Sequence, residues 1–176
     1  GGGLTFSGGE PLLQHCFVCE VFERCHQEGI HTALDTALYV PPSRVQAVLP
    51  FTDLFIADIK HIDSAKSRWL TGQSNDLNLA NIRSINAAGT QLWIRYVVVP
   101  GYTDAERDIT ALAEFLAPLS EVKRIELLAY HTLGVHKWEL LGLDYDLHAV
   151  EPPQADEMQR LQEIVQQITG KPVYVS

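Results

Sequence analysis

Basic residues are scarce in this 176-residue chain: 13 Lys and Arg stand against 22 Asp and Glu, a formal net charge of −9. A duplex-binding surface needs an excess of Lys and Arg, so no nucleic-acid partner is expected. No stretch approaches the roughly 18 uninterrupted apolar residues of a membrane span, and no membrane association is expected. The sequence opens on no basic, apolar leader, and it carries neither internal repeats nor low-complexity tracts. The GxxxxGK[ST] pattern of a phosphate-cradling loop is also missing. Cysteines number three; an odd count without a leader fits a reducing cytosol rather than a disulfide framework. What remains, at 46% hydrophobic and 20% charged residues, is a single globular domain over 1–176 with enough apolar chain for a core.

The cysteines run as Cys16-x2-Cys19-x5-Cys25, which superficially suggests a metal site. Geometry argues otherwise. The chain over 11–28 reads as a helix closed by Gly29, and at about 100° per residue Cys16 and Cys25 point to opposite sides. Cys16 and Cys19 are expected to share the apolar face of Leu12 and to pack as small hydrophobes. A zinc site made from Cys16, Cys19 and a histidine would need ligands converging on one tetrahedral point.

Against these absences stands the opening segment, GGGLTFSGGEPLLQ. A short strand-like run, Leu4-Thr5-Phe6, enters a Ser-Gly-Gly-Glu-Pro turn that opens a helix. Gly8 and Gly9 remove the Cβ atoms that would hold a ligand off the backbone, Glu10 adds a carboxylate, and Pro11 suits the first helical turn. An acceptor-rich turn favours a cationic group such as an ammonium over a phosphate. A Gly-Gly connection is also a common turn, and spacing alone leaves both readings open.

Periodicity predicts alternating strands and helices. Strands are expected over 30–36, 53–60, 91–99, 124–129 and 172–175, the second nearly continuous in apolar character as parallel strands buried on both faces are. Helices are expected over 43–48, 74–88, with Leu77, Ile82 and Ile85 near one face, and 153–169, with Met158, Leu161, Val165 and Ile168 at helical spacing. Residues 65–70 form a helical turn, and Thr103-Asp104-Ala105-Glu106 reads as a capping box for a helix to about 116. Such alternation implies an α/β fold with a parallel sheet.

The polar residues fall where such sheets gather their sites, at the carboxyl ends of strands. Asp35 ends one strand. Asp58 and Lys60, two apart, share a face near the end of the next, as do Arg95 and Val97 further on. His131 comes directly after another strand. A single strand-end charge is commonly a solvated cap; several ends converging on one mouth form a candidate site. His15, His26, His31, His61 and His148 have no motif context and read as surface or satisfied histidines.

The SGGEP turn, the run Trp93-Ile94-Arg95-Tyr96-Val97-Val98-Val99-Pro100-Gly101 and the run Tyr130-His131-Thr132-Leu133-Gly134-Val135-His136-Lys137-Trp138 resemble the radical S-adenosylmethionine enzymes, specifically the family that activates pyruvate formate-lyase. The resemblance implies an incomplete (β/α)6 TIM-like barrel lacking its first β/α unit. The family's Cys-x3-Cys-x2-Cys loop, which ligates a [4Fe–4S] cluster, precedes its Gly-Gly-Glu motif. Only seven residues precede Gly8 here, so the cluster cysteines are not in this chain, which by itself is expected to be inactive. By the same resemblance Gly8, Gly9 and Glu10 meet the amino group of S-adenosylmethionine with Asp35 nearby. Lys60 faces its carboxylate, Asp58 its ribose, and Val97 and His131, backed by Arg95, its adenine or ribose. Asp35, Thr36 and Asp58 match ligands of a monovalent cation, and His136, Lys137 and Trp138 match a substrate-facing segment, although an exposed loop anchored by an indole is the simpler reading.

The implied activity is reductive cleavage of S-adenosylmethionine at the cluster and abstraction of hydrogen from a glycine of pyruvate formate-lyase or another glycyl radical enzyme, with an electron donor such as flavodoxin. A noncatalytic partner-binding domain without the cluster segment is the alternative. Two departures stand out: Ala37-Leu38 replaces the family's Asn-Gly, and Ala129 replaces a proline before the Tyr-His pair.

Overall fold

Six apolar, β-branched runs form the strands of one sheet: β1 (Gly3–Phe6), β2 (His31–Thr36), β3 (Leu54–Asp58), β4 (Gln91–Val98), β5 (Val122–Ala129) and β6 (Val173–Val175). The computed structural model describes residues 2–176, apart from the side chain of Glu139. All pairings are parallel, and the strand order is the chain order, β1-β2-β3-β4-β5-β6. The helices are α1 (His15–Gln27), α2 (Pro42–Val48), α3 (Ser64–Thr71), α4 (Asp76–Ala87), α5 (Glu106–Leu116), α6 (Val135–Leu140) and α7 (Ala155–Thr169). Because each strand lies beside the one before it, every crossover steps in the same direction, and right-handed crossovers then put their helices on one face. This is the winding of an open, partial barrel, as expected. Among the described residues, no helix is long and apolar enough to cross a membrane.

The two faces of the sheet differ in kind. On the helix side Leu34, Phe55, Ile94, Tyr96, Ile125 and Leu127 are fully buried and join Phe22, Ile82, Leu112 and Leu161 in one cluster. The open side begins with a small apolar layer of Ala33, Leu54 and Ile56 beside Trp93. One row nearer the carboxyl ends it becomes charged, since Asp58 pairs in register with Arg95 and Arg95 with Glu126. Each fully buried aliphatic or aromatic side chain contributes about 1.5–3 kcal/mol, whereas partly exposed ion pairs contribute about 0–1 kcal/mol. The helix face therefore holds the fold and leaves the open face free to carry chemistry.

Four local expectations are corrected. The helix over 11–28 starts as a 3-10 turn (Pro11–Gln14) before α1, and the change of pitch rotates the side chains of α1 about the helix axis. The buried face of α1 is Val18, Phe22 and Cys25, whereas Cys16 is exposed and Cys19 half-buried. The capping box does not form: α5 starts at Glu106 with Ala105 as its cap. Thr103 is engaged elsewhere, its hydroxyl donating to the Val97 carbonyl (2.7 Å) and accepting from the Val99 N–H (2.7 Å). The inward face of α4 presents Asn78 and Asn81 with Ile82 and Ile85, while Leu77 is only partly buried. Finally, His136, Lys137 and Trp138 lie on a short helix, α6, rather than in a loop.

His61 is not an ordinary surface histidine; it is 1% exposed. Its Nδ1 accepts from the Asp63 N–H (2.9 Å), so the ring proton sits on Nε2, 3.7 Å from Asp108, which also pairs with Lys66. Burial lowers the His61 pKa below its ordinary 6.5, with Asp108 opposing and Lys66 reinforcing the shift. The unfolded chain therefore takes up this proton at higher pH than the folded one. The contribution to stability is complete above about pH 6.5 and falls as the pH drops through the window beneath it. A His61→Gln variant is expected to show a shallower loss of stability between about pH 6.5 and 5 by urea unfolding. Identical slopes for variant and parent would remove His61 as the source.

Candidate functional site

The Ser-Gly-Gly-Glu turn leaves β1 at its carboxyl end. Gly8 adopts φ +116°, a conformation L side chains rarely take. A Cβ at Gly8 or Gly9 would meet no heavy atom within 4 Å. The space over both glycines is open, so packing within the chain does not require a bare backbone at this turn, and close approach of an outside group would.

Glu10 is engaged within the protein itself. Its carboxylate accepts from the Leu12 N–H (3.0 Å), the Thr36 hydroxyl (2.7 Å) and the Ala37 N–H (3.0 Å). Three of its about four acceptor positions are thus committed to the protein. The carboxylate fastens the turn after β1 to the end of β2, and the groups left to face a ligand are mainly the backbone of Gly8 and Gly9. Thr36 is engaged in the same way. It is 2% exposed on the helix side of β2, its hydroxyl also accepting from the Leu38 N–H (2.9 Å). Asp35, its neighbour, points to the open face.

On that face the strand ends meet. Arg95 donates through Nη1 to Asp35 (2.8 Å) and through Nε to Glu126 (3.0 Å), tying β2, β4 and β5 together across the sheet. Burial works against the Arg95 charge, but the bonds to Glu126 and Asp35 outweigh it and raise its pKa further. Arg124 reaches Glu126 from the side (2.6 Å) and lies over the Trp93 and Tyr174 rings at 4.8 and 4.2 Å. Lys60 pairs with Asp58 at 2.8 Å and is the more exposed partner, 46% against 25%. Both line a cavity of about 220 Å3 with Tyr39, Asn75 and Asn78.

Asn78 holds this corner. Its amide donates to the carbonyls of Ala37 (2.7 Å) and Asp58 (2.9 Å), leaving its buried Oδ1 without a partner. One turn on, Asn81 donates to the carbonyls of Leu38 (2.9 Å) and Val40 (3.0 Å). One turn back, Asn75 donates to those of His61 (2.9 Å) and Ile62 (2.6 Å). The three asparagines, spaced by three at and within the start of α4, hold the loops after β2 and β3. An apolar stripe is the ordinary expectation for an inward helix face, and it hides them in the sequence; the Asn-x2-Asn-x2-Asn spacing is the available signal. The loop they hold contains Leu38, fully buried at φ +53°, the one non-glycine residue with positive φ among those described. Where the resembling family has Asn-Gly, this chain makes a left-handed turn at a leucine, at a cost of about 1–2 kcal/mol.

The remaining candidates lie further out. Val97 shares the face of Arg95, in register with Leu128. His131 is exposed just past β5, beyond Tyr130, whose N–H donates to the Val98 carbonyl (3.0 Å). Among the described residues, no hydrogen bond or ion pair links the side chains of His131, His136 or Lys137 to the Asp35–Arg95–Glu126 group. No three of the described His, Cys, Asp and Glu residues converge to hold a metal ion. The three cysteines thus do not fit an iron–sulfur cluster. The open glycines, the Asp58–Lys60 pair and the unpartnered Asn78 oxygen do fit a ligand bearing both charges and hydroxyls.

Comparison with known proteins bears on the family and the fold. Residues 1–113 match the family model described as the Radical SAM superfamily. The chain is 38% identical over 168 residues to a pyruvate formate-lyase-activating enzyme of Clostridium pasteurianum, covering 96% of this chain and 70% of that protein. To the protein of the same name from Staphylococcus aureus (strain USA300) it is 43% identical over 159 residues, covering 87% and 63%. The chain therefore spans about two thirds of the length of these relatives. A crystal structure of a domain of pyruvate-formate lyase-activating enzyme from Bacteroides vulgatus superposes with a TM-score of 0.83 at 32% identity, covering 100% of this chain and 99% of that one.

Proposed function

Because this chain belongs to the radical SAM superfamily, among the pyruvate formate-lyase-activating enzymes, we propose that it binds S-adenosylmethionine at the carboxyl ends of its strands and serves the activation of a glycyl radical enzyme. Pyruvate formate-lyase is the favoured partner. The observation that carries the reading is the pair of glycines opening onto free space beside a charged strand-end row.

The chain's own residues divide the cofactor between them. The Gly8–Gly9 backbone takes the amino group. Lys60 pairs with the carboxylate as a compact point charge, a role that requires it to swing away from Asp58. Asp58, so freed, accepts from the ribose hydroxyls. Val97 and His131 flank the adenosine, with Arg95 held rigid behind them by Asp35 and Glu126. A monovalent cation at the cofactor carboxylate would meet Asp35 and Asp58, whereas the Thr36 hydroxyl is already engaged. Given an electron from a one-electron donor that this chain's own residues do not hold, bound S-adenosylmethionine would supply the radical chemistry that takes a hydrogen atom from a glycine of the partner; the chain's own part is to orient it and exclude water. No side chain here is needed as an acid, base or nucleophile.

Isothermal titration of the chain with S-adenosylmethionine tests this, alongside Gly9→Val and Asp58→Ala. A Cβ added at Gly9 meets no heavy atom of the protein within 4 Å, so Gly9→Val is expected to unfold near the parent temperature while binding at least tenfold more weakly. Asp58→Ala is expected to weaken binding similarly. Failure of the intact chain to bind, or parental affinity in Gly9→Val, overturns the assignment of the site.

A further inference from the structure

Outboard of the strand ends lies a second concavity that the cofactor reading leaves unused. It measures about 390 Å3 and is lined by Trp69 and Leu70 from α3, Tyr102 after β4, Trp138 on α6, and Tyr145, Asp146 and Leu147 before α7. Four of these seven residues are aromatic. Trp69 stacks on Tyr102 (centroids 5.6 Å, planes 18° apart), and Trp138 tilts against Tyr145 (5.6 Å, 56°). Both indoles remain open to solvent, Trp69 at 72% exposure and Trp138 at 43%. Tyr145 is fixed by a 2.6 Å hydrogen bond to the hydroxyl of buried Tyr130. Burial and that bond push its phenol pKa up to about 12, so it is neutral at physiological pH.

The charges select the occupant. The lining contains one carboxylate, Asp146, for which no ion pair is formed among the described residues, and no Lys, Arg or His. Aromatic faces carry negative potential and attract organic cations. An anion would meet π faces and a carboxylate, and a purely apolar group would gain nothing from the exposed Asp146. We propose that this cleft receives a lysine or arginine side chain presented by the partner protein, its alkyl stem on Leu70 and Leu147 and its charge among the rings beside Asp146. The identity of that partner rests on the activase reading above; the chemistry of the pocket does not. Placed on α3, α6 and the β4–α5 turn, the cleft flanks the mouth of the sheet, so a cation held there would register the partner against the cofactor site.

The test uses N-acetyl-lysine methylamide and N-acetyl-arginine methylamide at constant ionic strength, with N-acetyl-norleucine methylamide as the uncharged control. The readout is the indole N–H resonances of the 15N-labelled chain. Trp69 and Trp138 are expected to shift saturably with either cation, while Trp93, packed under Arg124, stays in place as an internal control. Norleucine is expected to bind at least fivefold more weakly, Asp146→Asn to weaken the cations about threefold, and Trp138→Leu to abolish the response with the spectrum otherwise folded. Equal binding of norleucine, or no saturable shift, overturns the proposal. Titrating S-adenosylmethionine into the same sample separates the two readings, since either site can fail while the other binds.

Discussion

Replacing Glu10 with alanine is expected to lower the unfolding free energy by about 3 kcal/mol and to abolish S-adenosylmethionine binding as well. Three donors lose their acceptor at once: the N–H groups of Leu12 and Ala37 and the hydroxyl of Thr36. Hydrogen bonds to an ionised group contribute about 1.5–3 kcal/mol each, but water can reach part of this half-buried turn and recover some of that sum. Glu10→Gln separates charge from shape. Its amide can keep one oxygen for Leu12 and Thr36 but turns an N–H toward that of Ala37, so roughly half the loss is expected. Urea midpoints report stability, and calorimetry reports binding. If both variants unfold at the parent midpoint, Glu10 does not fasten the turn, and its role reverts to the ligand contact expected from the motif.

The second large effect is expected at Asn81. Asn81→Asp keeps the shape of the side chain, removes the two donors facing the Leu38 and Val40 carbonyls, and places a carboxylate against those oxygens at a site 1% exposed. Burying an unmatched charge and two unmatched carbonyls costs about 4 kcal/mol near neutral pH. The sign with pH is diagnostic. Repulsion and burial raise the folded pKa of the new carboxyl above its ordinary value of about 3.9, so the penalty shrinks as the pH falls toward that value and the protonated group donates once again. Denaturant unfolding at pH 7 and pH 4.5 checks this, and a penalty that does not vary with pH would mean that the loss is steric. The strained loop makes the site sensitive, because Leu38 keeps its left-handed backbone only while its neighbours hold it.

Much of this architecture is legible in the sequence, and the reasons differ from element to element. β3 and β4 are evident because a strand covered on one side and lined on the other leaves a dense apolar or alternating run, and α7 because its buried residues recur at one period. The row of Asp35, Asp58 and Arg95 is legible from position, Asp35 and Asp58 lying toward the ends of expected strands and Arg95 sharing a face with Val97 in the next. The role of Glu10 is not, because the acceptor it offers is claimed by Thr36 and Ala37, residues more than twenty-five positions away. Phase along α1 is lost for a local reason: a 3-10 turn advances each residue further around the axis than an α-helix does. The asparagines of α4 are hidden by the premise that an inward helix face is apolar. Glu126 and Arg124 lie in a strand recognisable by its hydrophobic positions, and only the register across β4 and β5 turns them into neighbours of Arg95.

The order of the strands bears on how the chain reaches this state. Each strand closes its ladder on the strand immediately before it in sequence, so no pairing has to wait for a distant segment to return. Each pairing closes a whole crossover, with register partners 21 residues apart between β2 and β3 (Leu34 and Phe55) and 48 apart between β5 and β6 (Ile125 and Val173), and the entropy of closing a loop rises only slowly with such lengths. Assembly can therefore advance one crossover at a time, outward from the long β4–β5 pair. In such a ladder an edge is a growing end: a further β/α unit joined to β1 or β6 would extend the sheet without changing any register already set.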